Sequence, residues 1–374
     1  MDIAIDCNIF TAQKYGGVSR YLVRLAEEIT SIGHHVTVHG LLHLNSYLAN
    51  SKDPLTRMRQ VSSFPKFTRR PTHLVSDLYT GAKLHQSPPD LIHESYYQSR
   101  GVGNSRLPRV CTVHDLIHDL YPRQRGRADN TAVLRNRTIA RADAVICVSE
   151  NTRKDLIRFT GIAPDKTHVV HHGYESMEGT PSLNDKEKRK IEMTTKDPYL
   201  LYVGGRNHYK NFDGFVEGFS LCSGKADINI VAFGGGPFRA HEEAVITGHG
   251  IPRANVHQLS GSDDLLKALY QNALALVYPS QYEGFGFPPL EAMSAGCPVL
   301  ASNSSCIPEV AGDAARYFNP EHPNSIADAI ETLLSSSQKR LEMAAVGYEH
   351  LKNFSWRKCA IETLQIYEEI TQNS

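Results

Sequence analysis

The sequence has no excess charge of either sign: 40 Lys and Arg stand against 40 Asp and Glu in 374 residues. That balance argues against a uniformly basic nucleic-acid binder and against an acidic solvating tail. No apolar run approaches the roughly 18–20 residues that a membrane-spanning helix needs. The seven cysteines are scattered and include no C-x-x-C pair, so buried free thiols in a reducing compartment are expected. There is no D-x-D to hold a metal–diphosphate, no G-x-S-x-G nucleophile elbow and no Gly-Lys-Ser/Thr phosphate loop. A strand-like run, Asp2–Asp6, opens the chain with no signal-peptide pattern before it. A cytoplasmic protein is expected, with contact at the inner face of a membrane left open.

What is present is enough apolar material for a core. Hydrophobic residues make up 41% and charged residues 21%, which argues against global disorder. The length implies two domains of similar size. The zero net charge divides unevenly. Residues 1–180 carry 23 basic and 17 acidic side chains, and residues 181–374 carry 17 and 23. The halves therefore stand at +6 and −6 and are expected to meet different partners.

Short apolar runs alternate with helical patterns through both halves: Ile3–Ile5, Val36–Val38, Leu91–His93, Val110–Val113, Ala144–Val148 and Thr167–Val170, then Tyr199–Val203, Ile228–Phe233, Ala273–Tyr278 and Val299–Leu300. This alternation predicts two doubly wound α/β domains with mainly parallel sheets. The expected domains are 1–178 and 179–354, divided in a polar, turn-rich stretch. The amphipathic segment 355–374 either closes the second domain or returns to the first. In such sheets ligands lie beyond the carboxyl ends of the strands, and a cleft between the domains is the expected site.

Four groups of residues carry the chemistry. In Glu283-Gly-Phe-Gly-Phe-Pro-Pro-Leu-Glu291, two carboxylates flank a glycine turn that opens a helix after the strand ending at Tyr278. A carboxylate accepts both hydroxyls of a sugar diol, and the N–H groups of Phe285, Gly286 and Phe287 suit a diphosphate. Taken alone, Glu291 is better explained as a charge capping its own helix N-terminus. In Val203-Gly204-Gly205-Arg206-Asn-His-Tyr-Lys210-Asn211, a strand ends in glycines and two cations precede a helix, which suits a phosphate or, equally, an ordinary turn with solvated cations. Gly16-Gly17 stands at another helix entry. His114-Asp115 and His118 lie past a strand end. Without a third spaced ligand, a substrate hydroxyl or phosphate fits them better than a metal.

The stretch Glu283–Met293 resembles the E-x7-E signature of the family 4 retaining glycosyltransferases. Further matching segments follow in the order of that family: Gly16-Gly17-Val-Ser-Arg-Tyr21, Thr112-Val-His114-Asp115, Cys147-Val-Ser149-Glu…Arg153, Val203-Gly-Gly-Arg206…Lys210-Asn211 and Ser302-Asn303…Pro308-Glu309. Residues 42–90 and 173–195 match least. The resemblance implies a GT-B fold with the nucleotide sugar on the C-terminal domain and the acceptor mainly on the N-terminal one. It also implies metal independence with no cofactor, and no nucleic-acid partner. Carried over, Glu283 would bind the donor sugar and Glu291 the ribose. Arg206 and Lys210 would hold the diphosphate, helped by the amides of Phe285–Phe287 and by Gly17. His114 would sit beside the transferring sugar, and Leu259–Gly261 would border the base. Many members place Arg directly before the lysine, where this chain has Tyr209, so Arg206 is expected to supply that charge.

The implied activity is transfer of a hexose, from a UDP-glucose-like donor ahead of GDP-mannose, to a saccharide or lipid-linked acceptor in surface polysaccharide synthesis. A sucrose- or trehalose-synthase-type enzyme and a catalytically silent nucleotide-sugar binder are the alternatives. The basic residues Lys52, Arg57, Arg59, Lys66, Arg69 and Arg70, interleaved with Phe64 and Phe67, and Arg123, Arg125 and Arg127, read either as solvated loops or as a surface for an anionic, membrane-borne acceptor.

Overall fold

A computed structural model describes residues 1–51, 55–65, 68–104, 106–121, 129–206 and 208–372, with Arg69 and Arg70 described in their backbone only. Lys52, Lys66, Phe67, Arg123, Arg125 and Arg127 lie outside the described residues. The chain forms two compact units. Unit 1 is residues 1–173 with 354–374, and unit 2 is 174–353. The first division falls at Gly173–Tyr174 rather than at 178/179 because the following residues are tied to unit 2. The Met177 amide donates to Ser294 Oγ at 2.8 Å, and Gln271 Nε2 donates to the carbonyls of Met177 and Gly179. The helix Trp356–Gln372 belongs to unit 1, where it packs on the helix Gly17–Ser31.

Unit 1 holds β1 (Asp2–Asp6), β2 (His35–His39), a small pair β3 (Leu42–His43) and β4 (Arg59–Gln60), then β5 (Leu91–Glu94), β6 (Arg109–Val113), β7 (Ala144–Cys147) and β8 (Thr167–Val169). Its main sheet is parallel, in the order β2-β1-β5-β6-β7-β8. Unit 2 holds β9 (Tyr199–Val203), β10 (Asn229–Phe233), β11 (Val256–Leu259), β12 (Ala275–Tyr278), β13 (Val299–Ser302) and β14 (Ala315–Phe318). They are parallel in the order β11-β10-β9-β12-β13-β14.

Helices cover both faces of such sheets, so the inner strands read as near-continuous apolar runs: β5, β6, β7, β12 and β13 are buried at every residue. Phe212, Phe215 and Phe219 line one helix at helical spacing and pack with Leu200, Ile230 and Ile330 in the core of unit 2. In both sheets the first strand is internal, and the chain winds first to one side of it and then to the other. This creates a switch point between β1 and β5 and another between β9 and β12, where doubly wound sheets open a crevice for ligands. All seven cysteines are free and buried. No described helix is long and apolar enough to cross a membrane.

Candidate active site

In unit 2 the signature residues gather at the carboxyl edge of one sheet. After β9 the chain runs through Gly204 and Gly205 to a 3-10 turn, His208–Lys210, and then into the helix Phe212–Ser220. After β12 a loop carries Glu283 and leads into the helix Phe287–Ser294. The two loops flank the β9/β12 switch point. The Tyr209 carbonyl accepts from the Gln281 amide at 2.7 Å, which fixes one loop to the other. Lys210 Nζ donates to Glu283 Oε1 at 2.5 Å. The lysine side chain is 21% exposed and the carboxylate 9%. The pair is charge-assisted and largely out of water, where each charge acts more strongly than in bulk solvent.

The surroundings hold Glu283 in place. Its amide donates to Ser305 Oγ at 3.0 Å, and the Cys306 thiol donates to the carbonyls of Glu283 and Phe285 at 3.1 and 3.3 Å. The Tyr278 phenol is hydrogen-bonded to Glu283, and burial together with that carboxylate raises its pKa well above the ordinary value. Among the described residues, the non-glycine positions with positive φ are Asn211 (55°) and Ser305 (51°). One follows Lys210 and the other holds the Glu283 amide. Backbone strain of about 1–3 kcal/mol per residue persists only where its surroundings enforce it. Neither Ser305 nor the role of Cys306 is marked in the sequence. A serine in a left-handed conformation leaves no trace in a one-dimensional pattern.

Gly286 (φ +87) caps the Phe287–Ser294 helix, and a Cβ there would also lie 3.4 Å from the Tyr278 hydroxyl. The rings of Phe285 and Phe287 meet edge to face at 5.5 Å. Glu291 does not cap this helix: it is the fifth residue, is 4% exposed, and accepts from Tyr270 Oη at 3.3 Å. Leu259 ends β11, and its carbonyl accepts from the Gly234 amide. The loop after it is braced by the helix Asp185–Thr194, where Glu187 accepts from the Ser262 amide and hydroxyl and Lys190 donates to the Ser260 carbonyl.

Arg206 corrects the expectation that it supplies a diphosphate cation. Its side chain is only 1% exposed, and its Nε lies 3.1 Å from Glu242 Oε1. The guanidinium donates to the carbonyls of Gly234, Gly236 and Pro237 and stacks 4.6 Å from the Phe238 ring centroid. The residues Gly234–Gly236 all have positive φ, and a Cβ at Gly235 would come within 2.6 Å of the guanidinium. The charge is neutralised by Glu242 and the terminal N–H groups are taken up mainly by the glycine turn, so Arg206 holds that turn together. A phosphate-facing arginine and this clamp have the same sequence pattern.

In unit 1, Gly16 precedes the Gly17–Ser31 helix in an extended conformation. His114 directly follows β6 among aromatic and imidazole rings. Tyr21 is edge-on to it at 5.2 Å and His172 is 5.7 Å away. Trp356 of the last helix lies 6.0 Å from His172. Beneath it, Thr112 Oγ1 links the Tyr21 hydroxyl (3.1 Å) to His93 Nε2 (3.0 Å), and His93 Nδ1 meets the Tyr367 hydroxyl at 2.5 Å. Burial, and then the neighbouring His93, push the His114 pKa down to about 3. His118 Nδ1 bonds Asp129 at 2.6 Å. Among the described residues, no group of three or more His, Cys, Asp or Glu is arranged to hold a metal ion.

His114 is therefore a neutral imidazole that can donate or accept one hydrogen bond but carries no charge. Its NMR ring shifts are expected to stay those of the neutral form from about pH 8 down to about pH 5. A midpoint near 6.5 would contradict this environment. A folded pKa below the unfolded 6.5 means that the unfolded chain binds the extra proton. This contribution to the stability of unit 1 is therefore complete above pH 6.5 and falls as pH drops below it.

Two doubly wound units of this order define the GT-B class of enzyme architecture. Two family models cover most of the chain: the Glycosyltransferase Family 4 model matches residues 15–176 and the Glycosyl transferases group 1 model matches 184–350. The chain belongs to the family 4 glycosyltransferases. It is 29% identical over 274 residues to O-antigen chain mannosyltransferase B of Escherichia coli, covering 70% of this chain and 71% of that one. It is 28% identical over 299 residues to the serotype-specific mannosyltransferase WbdA of the same organism, covering 75% of this chain but only 36% of WbdA. Among solved structures, sucrose-phosphate synthase of Thermosynechococcus elongatus superposes with a TM-score of 0.76 at 20% identity over the whole of both chains. HepE of Anabaena, in complex with UDP-glucose, superposes at 0.73 and 16% identity over 99% of this chain and 100% of that one. At these identities the structural likenesses show the fold alone.

Proposed function

We propose that this enzyme moves a hexose, with retention and without a metal ion, from a nucleoside-diphosphate sugar to a saccharide or lipid-linked acceptor of a surface polysaccharide. The observation that carries the reading is the Lys210–Glu283 pair at the β9/β12 switch point. It offers a cation for the leaving diphosphate beside a carboxylate for sugar hydroxyls. In the proposed reaction the bond from the anomeric carbon to the phosphate oxygen breaks while the acceptor oxygen bonds to the same face. The acceptor proton passes to the departing phosphate, so the products are the glycoside and the nucleoside diphosphate. Lys210 and the amides at Gly286 and Phe287 stabilise the charge on the leaving group. Glu283 orients the sugar, Glu291 accepts the ribose, Leu259 borders the base, Gly17 approaches the phosphates, and neutral His114 bonds the transferring sugar.

The relatives reorder the donor preference. Mannose moves ahead of glucose because several of the relatives found by sequence are mannosyltransferases, whereas the UDP-glucose complex belongs to a neighbour that shares only the fold. Thermal unfolding in the presence of GDP-mannose, UDP-glucose and UDP-galactose tests this. A donor at about a hundredfold its Kd is expected to stabilise the enzyme by about 2.7 kcal/mol. GDP-mannose should raise Tm the most, and its slow hydrolysis should persist in EDTA. Failure of every donor to raise Tm would overturn the reading, and binding without hydrolysis or transfer would make the protein a silent binder. A lipid-linked acceptor would bring this reaction from the cytoplasm to the inner face of a membrane.

A further inference from the structure

The helix Arg69–Gln86 of unit 1 is built inside out. Its inward row is Ser76, Thr80 and Leu84, each 2% exposed or less. Its outward residues are Leu74 (62% exposed), Val75 (53%), Leu78 (69%) and Tyr79 (40%). A surface helix ordinarily turns large apolar residues to the core and polar ones to water. The inward serine has a structural reason: Ser76 Oγ accepts from the Leu41 amide at 2.9 Å and lies 3.3 Å from Cys7 Sγ, tying the helix to the end of β1. The outward leucines and valine have no such reason within unit 1. They form a continuous stripe, because residues three and four apart on a helix are neighbours.

The stripe leads into a cationic pocket. The row Val75–Tyr79–Lys83 runs down the helix, and Tyr79 and Lys83 line a pocket of about 710 Å³ together with Arg57, Thr56 and His39 along the edge strand β2. Lys83 Nζ lies 5.8 Å from the Tyr79 ring centroid. None of the described lining residues is acidic. His35 also lines the pocket but pairs with Asp2 at 3.3 Å, so the positive charge there comes from Arg57 and Lys83. The one acid of the helix, Asp77, is hydrogen-bonded to His73 at 3.2 Å.

We propose that this face docks on a bilayer surface containing anionic phospholipid. Leu74, Val75 and Leu78 enter the boundary between headgroups and acyl chains, and a lipid phosphate occupies the pocket between Arg57 and Lys83. An apolar face edged by cations is the pattern of an interfacial helix. The charge selects the occupant. A second copy in a two-fold interface would bring the same cations together, whereas an anionic surface opposes them with the complementary sign. The proposal rests on the membrane-borne-acceptor reading above and names the contact that such an acceptor requires.

Flotation of the full-length protein with phosphatidylcholine vesicles, with and without phosphatidylglycerol, tests it. The wild type is expected to float with the anionic vesicles. Leu74→Gln with Leu78→Gln should lower partitioning by about tenfold or more. Arg57→Gln with Lys83→Gln should remove the preference for anionic vesicles, at about fivefold per charge. These side chains are exposed, so Tm and the donor-induced rise in Tm are expected to match the wild type. Those two readouts separate loss of docking from loss of the transfer reading. Wild-type protein that shows no preference for anionic vesicles overturns the proposal even if the donor shift is intact. It is equally overturned if inorganic phosphate raises Tm through Arg57 and Lys83 while flotation is absent, or if Leu78→Gln abolishes a concentration-dependent dimer.

Discussion

Lys210→Ala is expected to lower kcat/KM by about a hundred- to a thousandfold, because a placed cation facing a departing diphosphate typically contributes that much. Glu283→Ala should do the same in a protein that remains folded, with a smaller fall in Tm than Arg206→Met, since the Lys210 side chain it leaves is 21% exposed whereas the carboxylate left by Arg206→Met is 3% exposed. The double variant should lose little more than the worse single one. The two side chains are in contact, and groups that act as a unit are not additive. Steady-state transfer with the donor selected by thermal shift measures all three. Near-normal turnover in folded Glu283→Ala would falsify the assignment. A double variant whose loss is the full product of the single losses would show that the contact in the structure is not maintained in the reacting complex.

The second large effect concerns stability. Arg206→Met should destabilise unit 2 by about 3 kcal/mol, the cost of leaving a buried carboxylate without its main partner. Arg239 also reaches Glu242 at 3.2 Å, but its side chain is 65% exposed and it compensates from solvent only. For a unit of this size the loss corresponds to a fall in Tm of about 10 °C. The companion Arg206→Met with Glu242→Met replaces both charges by apolar groups of similar size and should recover much of that loss, and donor affinity with it. If Arg206→Met instead unfolds at the wild-type temperature and loses diphosphate affinity, the expectation that Arg206 faces the phosphates is restored and the clamp is wrong.

In unit 2 the strands without a continuous apolar run in the sequence are Val256–Leu259 and Ala315–Phe318, the two edges of its sheet. An edge strand buries less of each face, so His257, Gln258 and Arg316 interrupt the apolar pattern that marks the inner strands. The helix Arg69–Gln86 escaped for the opposite reason: its apolar residues face outward, so its pattern does not mark a face packed on a core.

The sequence by itself determined the two α/β domains and the family, because inner strands must be apolar throughout and a glycine turn between two carboxylates has few other uses. It could not determine which of two similar cations faces the ligand. Arg206 and Lys210 both follow the same strand, four positions apart, and only the tertiary structure shows one clamped by Glu242 and the Gly234–Pro237 carbonyls and the other beside Glu283. Nor could it assign the last helix, whose apolar face suits either unit until Trp356 is placed beside His172 and Tyr21. Local pattern encodes which face of an element is apolar. Which partner meets that face, and which charge is already neutralised, are set by contacts between residues distant in the chain.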